Sequence, residues 1–373
     1  MQGSSIGKML FILALLALMI AAGFWFFTSN PQSSEQSPSA VQPGQQAVQR
    51  QDAYIPPVRA SGHVEPAAED IGTPAGPKLP AISHEQIEAY LKLHGRNAAS
   101  LLAAFHASGG DTNLLKEAAL NFPDDPHVQF TVLAQDLFPD DRRKWLDAFK
   151  QSSPDNSLAN YLSALEYFDN NQSDAALKEL STALGKEQFS DFDLENFQSA
   201  ADLYQFSGLS TLEVNSGAMT AMSTELIPLL GEMKRVAVDI RDLQKQYVDS
   251  GDTASVENLS QLELGLADRF SSGDGGRFMI NQLVGMAIES NALRPLDQSK
   301  TYDFLDGETP TQRLAELKQE KTDMIDLMKA VPRSADMSEA QQNGYFDKMR
   351  TDGEIAAKRW FQHEYPNIAP ETQ

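Results

Sequence analysis

Three regimes of apolar and polar patterning divide the chain. The first is the run 9–27, MLFILALLALMIAAGFWFF, which holds no charged or strongly polar side chain. At about 1.5 Å per residue it makes a helix of roughly 28 Å, close to the hydrocarbon thickness of a bilayer. Lys8 precedes it and no charge comes after it before Glu35. This bias predicts a cytoplasmic stub at 1–8, a transmembrane signal anchor at 9–27 and an extracytoplasmic, periplasmic-type remainder. The alternative is a signal peptide cleaved near Gly23, after the small residues Ala21 and Ala22. Both readings export the rest of the chain. In the second regime, 28–81, nine of the chain's 19 prolines fall among Gln and Ser with almost no large apolar side chains. Such a segment cannot bury enough apolar surface to offset its ordering entropy, and it reads as a disordered linker.

The third regime, from Ser83 onward, carries helical periodicity. Ser83 and Gln86 have the spacing of a capping box, which is also the better account of His84-Glu85, since the position where a zinc helix needs its second histidine is Glu88. Between His94 and Lys186 the pattern repeats every 31 residues, in units 94–124, 125–155 and 156–186. Leu115, Leu146 and Leu177 correspond, as do Ala118, Phe149 and Leu180. Polar breaks at Gly109-Gly110-Asp111, Pro139-Asp140-Asp141 and Asn170-Asn171-Gln172 split each unit into two helices. Hairpins of this kind bury their stripes by stacking, so the expected fold is all-α, a helical-hairpin solenoid over 82–190 continuing into an α-helical region over 191–373.

In the third unit Ala164, Tyr167, Ala176, Leu180 and Ala183 stand at the small, aromatic, small, large and small positions of a known repeat, and Pro154 stands where the preceding repeat's terminal proline belongs. The segment 94–186 resembles the tetratricopeptide repeat family. The first two units depart from it at Leu114 and Trp145, where the family has alanine. The resemblance implies a protein-binding scaffold.

Beyond Lys186, Leu226, Leu230, Met233, Ala237, Ile240 and Tyr247 step along a helix from about Ser223 to Asp249, a stripe suited to packing within the domain or to a coiled-coil partner. Further helices are expected through Val256–Phe270, Phe278–Ile288 and Leu314–Met328, with a last piece from Tyr345 to Phe361. No alternating strand pattern of useful length appears.

Charge and composition then narrow the function. The formal charge is −22, of which −21 lies on 82–373. That argues against nucleic acid as a partner and favours a basic protein surface. With no cysteine, disulfides, thiolate metal sites, cysteine nucleophiles and a lipoprotein anchor are excluded. The six histidines, at 63, 84, 94, 106, 127 and 363, show no helical metal spacing. Gly273-Asp274-Gly275-Gly276 lacks the Lys-Ser/Thr of a phosphate loop. Asp169 to Asp174 resembles a calcium loop but has Leu180 in place of the bidentate glutamate. No catalytic residue, cofactor or metal is therefore expected. The function expected is a membrane-anchored, noncatalytic scaffold for another envelope protein, with the polar residues Asn97, Gln129 and Asn160, read as one register on the first helices, as contact residues. The alternatives are an exported enzyme with a carboxylate site in the C-terminal half and a self-assembling envelope component.

Overall fold

The computed structural model describes residues 81–332 and 336–366. The expected anchor at 9–27 and the linker up to residue 80 lie outside them. Among the described residues no helix is long and apolar enough to cross a membrane. These residues fold as all-α, with fourteen helices and one isolated bridge between Asn156 and Gln188.

Helix α1 (His84–His94) starts at the expected capping box. Gln86 N donates to Ser83 Oγ at 3.2 Å, and Ser83 N donates to Gln86 Oε1 at 2.9 Å. Gln86 Nε2 also donates to the Ser207 carbonyl at 3.0 Å, so the cap doubles as a tertiary contact. Three helix pairs come next: α2 (Ala98–Ala107) with α3 (Thr112–Asn121), α4 (Pro126–Ala134) with α5 (Arg142–Ser152), and α6 (Leu158–Asp169) with α7 (Ser173–Leu184). The three polar breaks read from the sequence fall between the members of each pair. Ala164, Ala176, Leu180 and Ala183 are buried, and the three small alanine side chains let α6 and α7 approach closely. The calcium-like turn docks on another helix instead, through an ion pair of Asp169 with Arg235.

The first helix of each pair is buried all round. Residues 100–107, 128–133 and 158–165 are buried without interruption, which a surface helix with one apolar stripe never is. These helices form a middle layer. On one side lie α3, α5 and α7. On the other lie α8 (Asp193–Phe206) and α9 (Thr211–Ser250), and α9 touches α2, α4 and α6 in turn. At about 1.5 Å per residue, α9 is roughly 60 Å long. It begins well before the expected Ser223, at a second capping box formed by Ser210 and Glu213. Met222, Leu226, Leu229, Met233, Val236 and Ile240 face inward, so the stripe is spent within the chain. Pro228 interrupts α9 and cannot donate to the Thr224 carbonyl. Gln135 Nε2, from the end of α4, points at that carbonyl from 3.4 Å.

The remaining helices are α10 (Thr253–Ser271), α11 (Met279–Leu293), α12 (Pro310–Ala330), α13 (Glu339–Asp352) and α14 (Glu354–Glu364). The last two were expected as one piece, and Gly353, at φ +89°, divides them. The regions before and after residue 190 share their cores. One core joins Leu102 and Phe105 to Phe197, Tyr204 and Phe361; the other joins Phe130 and Tyr161 to Met233, Phe270 and Ile288. The Gly273–Gly276 run forms a tight turn. A Cβ on Gly275 would lie 2.1 Å from the Arg269 carbonyl oxygen, so close backbone packing accounts for this glycine.

One buried acid makes stability depend on pH. Glu263 on α10 is 1% exposed, and neither carboxyl oxygen has a hydrogen-bond partner among the described residues. Burial pushes its pKa from 4.5 up to about 8, with partial relief from Arg241. Between those values the folded chain holds a proton that the unfolded chain releases, so stability falls as pH rises through that window. Glu263→Gln is expected to be nearly neutral at pH 5 and to stabilise by on the order of 2–4 kcal/mol at pH 8. Thermal melts at the two pH values check this, and equal shifts at both would assign the pH dependence to other groups.

Candidate functional site

The three contact residues expected from the sequence are occupied inside the fold. Asn97 is exposed but caps α2, its Oδ1 accepting from Ser100 N at 2.9 Å and its Nδ2 donating to the His94 carbonyl at 3.0 Å. Gln129 is 1% exposed; its Nε2 donates to the Pro123 carbonyl and its Oε1 accepts from Ser152 Oγ. Asn160 is 4% exposed and donates to Glu179 Oε2 at 2.6 Å, while Lys150 pairs with Glu179 Oε1. The expected common register holds for Gln129 and Asn160, 31 residues apart, but not for Asn97, which lies 32 residues before Gln129 at the N-cap; the layer that holds Gln129 and Asn160 is covered, so their polar groups link helices to one another.

The chemistry-bearing residues lie deeper, where the first helix pairs meet α8 and α9. His106 on α2, His127 in the first turn of α4 and Glu225 on α9 bring one ligand-type atom each to within 4.8 Å of the others. His106 Nε2 stands 3.5 Å from Glu225 Oε1, and both side chains are fully buried. Asn196 of α8 lies between them. It accepts at Oδ1 from His127 Nε2 at 2.9 Å and donates from Nδ2 to Glu225 Oε2 at 2.7 Å. That direction fixes the His127 tautomer with its proton on Nε2. Thr131 stands beside Glu225. Both His106 nitrogens, Glu225 Oε1 and Thr131 Oγ1 lack a hydrogen bond of good geometry among the described residues.

Two neighbouring features support this cluster. Phe192, immediately before α8, holds a left-handed backbone at φ +59°, a strained conformation for an aromatic residue. Its ring lies flat on His127, with centroids 4.5 Å apart and 8° between the planes. A second polar group adjoins at the start of α8. Asn281 Nδ2 faces Asp191 Oδ2 at 3.2 Å and Asp193 Oδ2 at 3.5 Å, and all three residues are buried.

Burial decides the protonation states here. It lowers His106 to about 4 and lowers His127 as well, and it raises Glu225 despite the opposing pull of His127. Asp191 is pushed up to about 6, and Asp193 is raised well above its ordinary value by burial and by the charge of Asp191. The histidines are therefore neutral near pH 7, and His106–Glu225 is a contact of neutral imidazole with carboxyl, not an ion pair. A neutral imidazole keeps one lone-pair nitrogen, the form that binds a metal. Sequence spacing could not find this set, because its members come from three helices and close only in the folded core.

A surface feature lies on the other side of the helix pairs. An open cleft of about 420 Å³ runs between α3 and α5, floored by Phe138 and Trp145 and edged by Leu120, Asp124, Asp141 and Lys144. Phe138 and Trp145 stack with centroids 5.8 Å apart, and Leu120 is 79% exposed beside them. Comparison with protein-family models, with curated proteins and with solved structures returns no match.

Proposed function

We propose that the chain is a noncatalytic interaction module, anchored through residues 9–27 and held clear of the membrane by residues 28–81. Its three helix pairs form a tetratricopeptide-like solenoid whose inner groove is filled by α8 and α9, so the partner docks on the outer face. The observation that carries this reading is Leu120, a large apolar side chain standing in solvent beside the aromatic floor of an open cleft. Tryptophan in such a cleft is a usual interface anchor, and the exposed Leu120 extends the apolar surface beside it. The two aspartates against one lysine at the rim, and the −21 carried by residues 82–373, suit a partner segment with an apolar anchor flanked by lysine or arginine.

A photo-crosslinking residue at Leu120, compared in native membranes with one at the exposed Ala315 on α12, tests the surface. The expected result is one recurrent protein adduct at Leu120, on the order of tenfold over Ala315 and lost when Asp124 and Asp141 are both changed to lysine. No preference for Leu120 overturns the docking face. Retention in the double variant overturns the basic partner, and an adduct of twice the chain's mass replaces the partner with a second copy.

A further inference from the structure

We propose that His106, His127 and Glu225 bind one divalent transition-metal ion of the zinc class, which ties α2, α4 and α9 together as a structural cross-link. Two imidazoles and a carboxylate are a donor set that zinc and its neighbours accept, whereas calcium and magnesium prefer oxygen alone. Zinc bonds of about 2.0–2.2 Å in tetrahedral geometry place ligand atoms roughly 3.3–3.5 Å apart. His106 Nε2 and Glu225 Oε1 already stand at 3.5 Å. All three ligand atoms fall within 4.8 Å of one another, so side-chain adjustments of about 1 Å complete the set.

The unused hydrogen-bonding capacity points the same way. Buried polar atoms in native proteins are nearly always paired. Here His106 Nε2 and Glu225 Oε1 are fully buried, lack a hydrogen bond of good geometry among the described residues, and face each other at 3.5 Å. No lysine or arginine ion-pairs with Glu225, Asp191 or Asp193 among those residues, whereas His106 faces Glu225 directly. A bound dication would favour the ionised form of Glu225 and so supply a counter-charge that no side chain provides. The surroundings match those of metal ligands elsewhere: Asn196 donates to the second oxygen of Glu225 and accepts from the protonated nitrogen of His127, and Phe192 clamps the His127 ring. Three protein ligands leave one position of a tetrahedral ion open, but with His106 and Glu225 closed to solvent it is out of reach of a substrate, which suits a cross-linking role.

The test uses the full-length chain without a histidine tag, stripped of metal and titrated with Zn²⁺ and with Co²⁺ alone. One ion per chain is expected, with a Tm increase of about 5 °C at a hundredfold excess over Kd and the visible absorption of tetrahedral cobalt. Glu225→Gln and His106→Gln are expected to weaken binding about 100-fold or more, and His94→Gln with His363→Gln, both at exposed histidines, to leave it unchanged. If the core variants do not fold, X-ray absorption of the metal-loaded wild type decides, with two imidazoles among nitrogen and oxygen ligands as the expected set. Absence of stoichiometric binding, binding abolished by the two surface substitutions, or an all-oxygen ligand shell would each overturn the proposal.

Discussion

Met233→Lys is expected to destabilise the chain by about 4 kcal/mol or more and to lower its Tm by about 10 °C or more. Met233 is fully buried on α9, in the core that also holds Phe130, Tyr161 and Phe270. A lysine there either strands its ammonium in apolar surroundings or forces α9 off the helix pairs, and both routes expose the first helices to water. Gly231→Lys, two residues away, is the matched control. Gly231 is exposed, and a side chain there meets nothing within 4 Å. Replacing glycine in a helix interior is worth up to about 1 kcal/mol in favour of the variant. Denaturant unfolding separates the two. If Met233→Lys stayed within about 1 kcal/mol of wild type, the inner groove would not be sealed by α9.

The second large effect belongs to Asn196. Asn196→Leu removes the donor to Glu225 and the acceptor from His127 at once, leaving two buried polar groups without partners. The expected cost is about 3–5 kcal/mol. Asn196→Asp keeps the shape but sets a second carboxyl against Glu225. Like charges disfavour ionisation, so this variant is expected to be least stable near pH 8 and to recover toward pH 5 as one carboxyl takes up a proton. The leucine variant adds no carboxyl, so its loss of stability relative to wild type should not show that recovery. Urea melts of wild type and both variants at the two pH values check the contrast, and parallel pH behaviour of the two variants relative to wild type would mean that Asn196 does not lie between His127 and Glu225.

Much of the architecture was legible because helices announce themselves locally. Ser83 and Gln86 carry the first cap within four residues, and the three polar breaks fall where the helix pairs turn. Leu115, Leu146, Ala118, Phe149 and Leu180 lie buried on the second helices as their 31-residue period implies. The cover over the first helices was not legible. A stripe such as Met222 to Ile240 says that one face is buried, but not against what, and α8 gave little signal because much of its buried face is built from Ala200 and Ala201 between Phe197 and Tyr204. The same limit hid the polar cluster. His106, His127, Asn196 and Glu225 each look unremarkable in their own helices, and only long-range packing brings them together. Gln129 and Asn160 show the converse: a shared register marks equivalent places in a repeat, whereas accessibility depends on the layer laid over it.

The long helix also changes how this array can fold. In an ordinary solenoid each hairpin rests only on its neighbours, so repeats can form one after another from either end. Here α2, α4 and α6 all lean on α9, which begins at Thr211 and does not end until Ser250. As the chain emerges from its N-terminus, the three hairpins appear first and have nothing to close their inner faces until the whole spine has been made. They must wait as partly formed helices with apolar surface open to water, the state most exposed to aggregation. The array therefore folds as one cooperative unit rather than repeat by repeat, and during synthesis it depends on whatever shields its leading segments until residue 250 arrives.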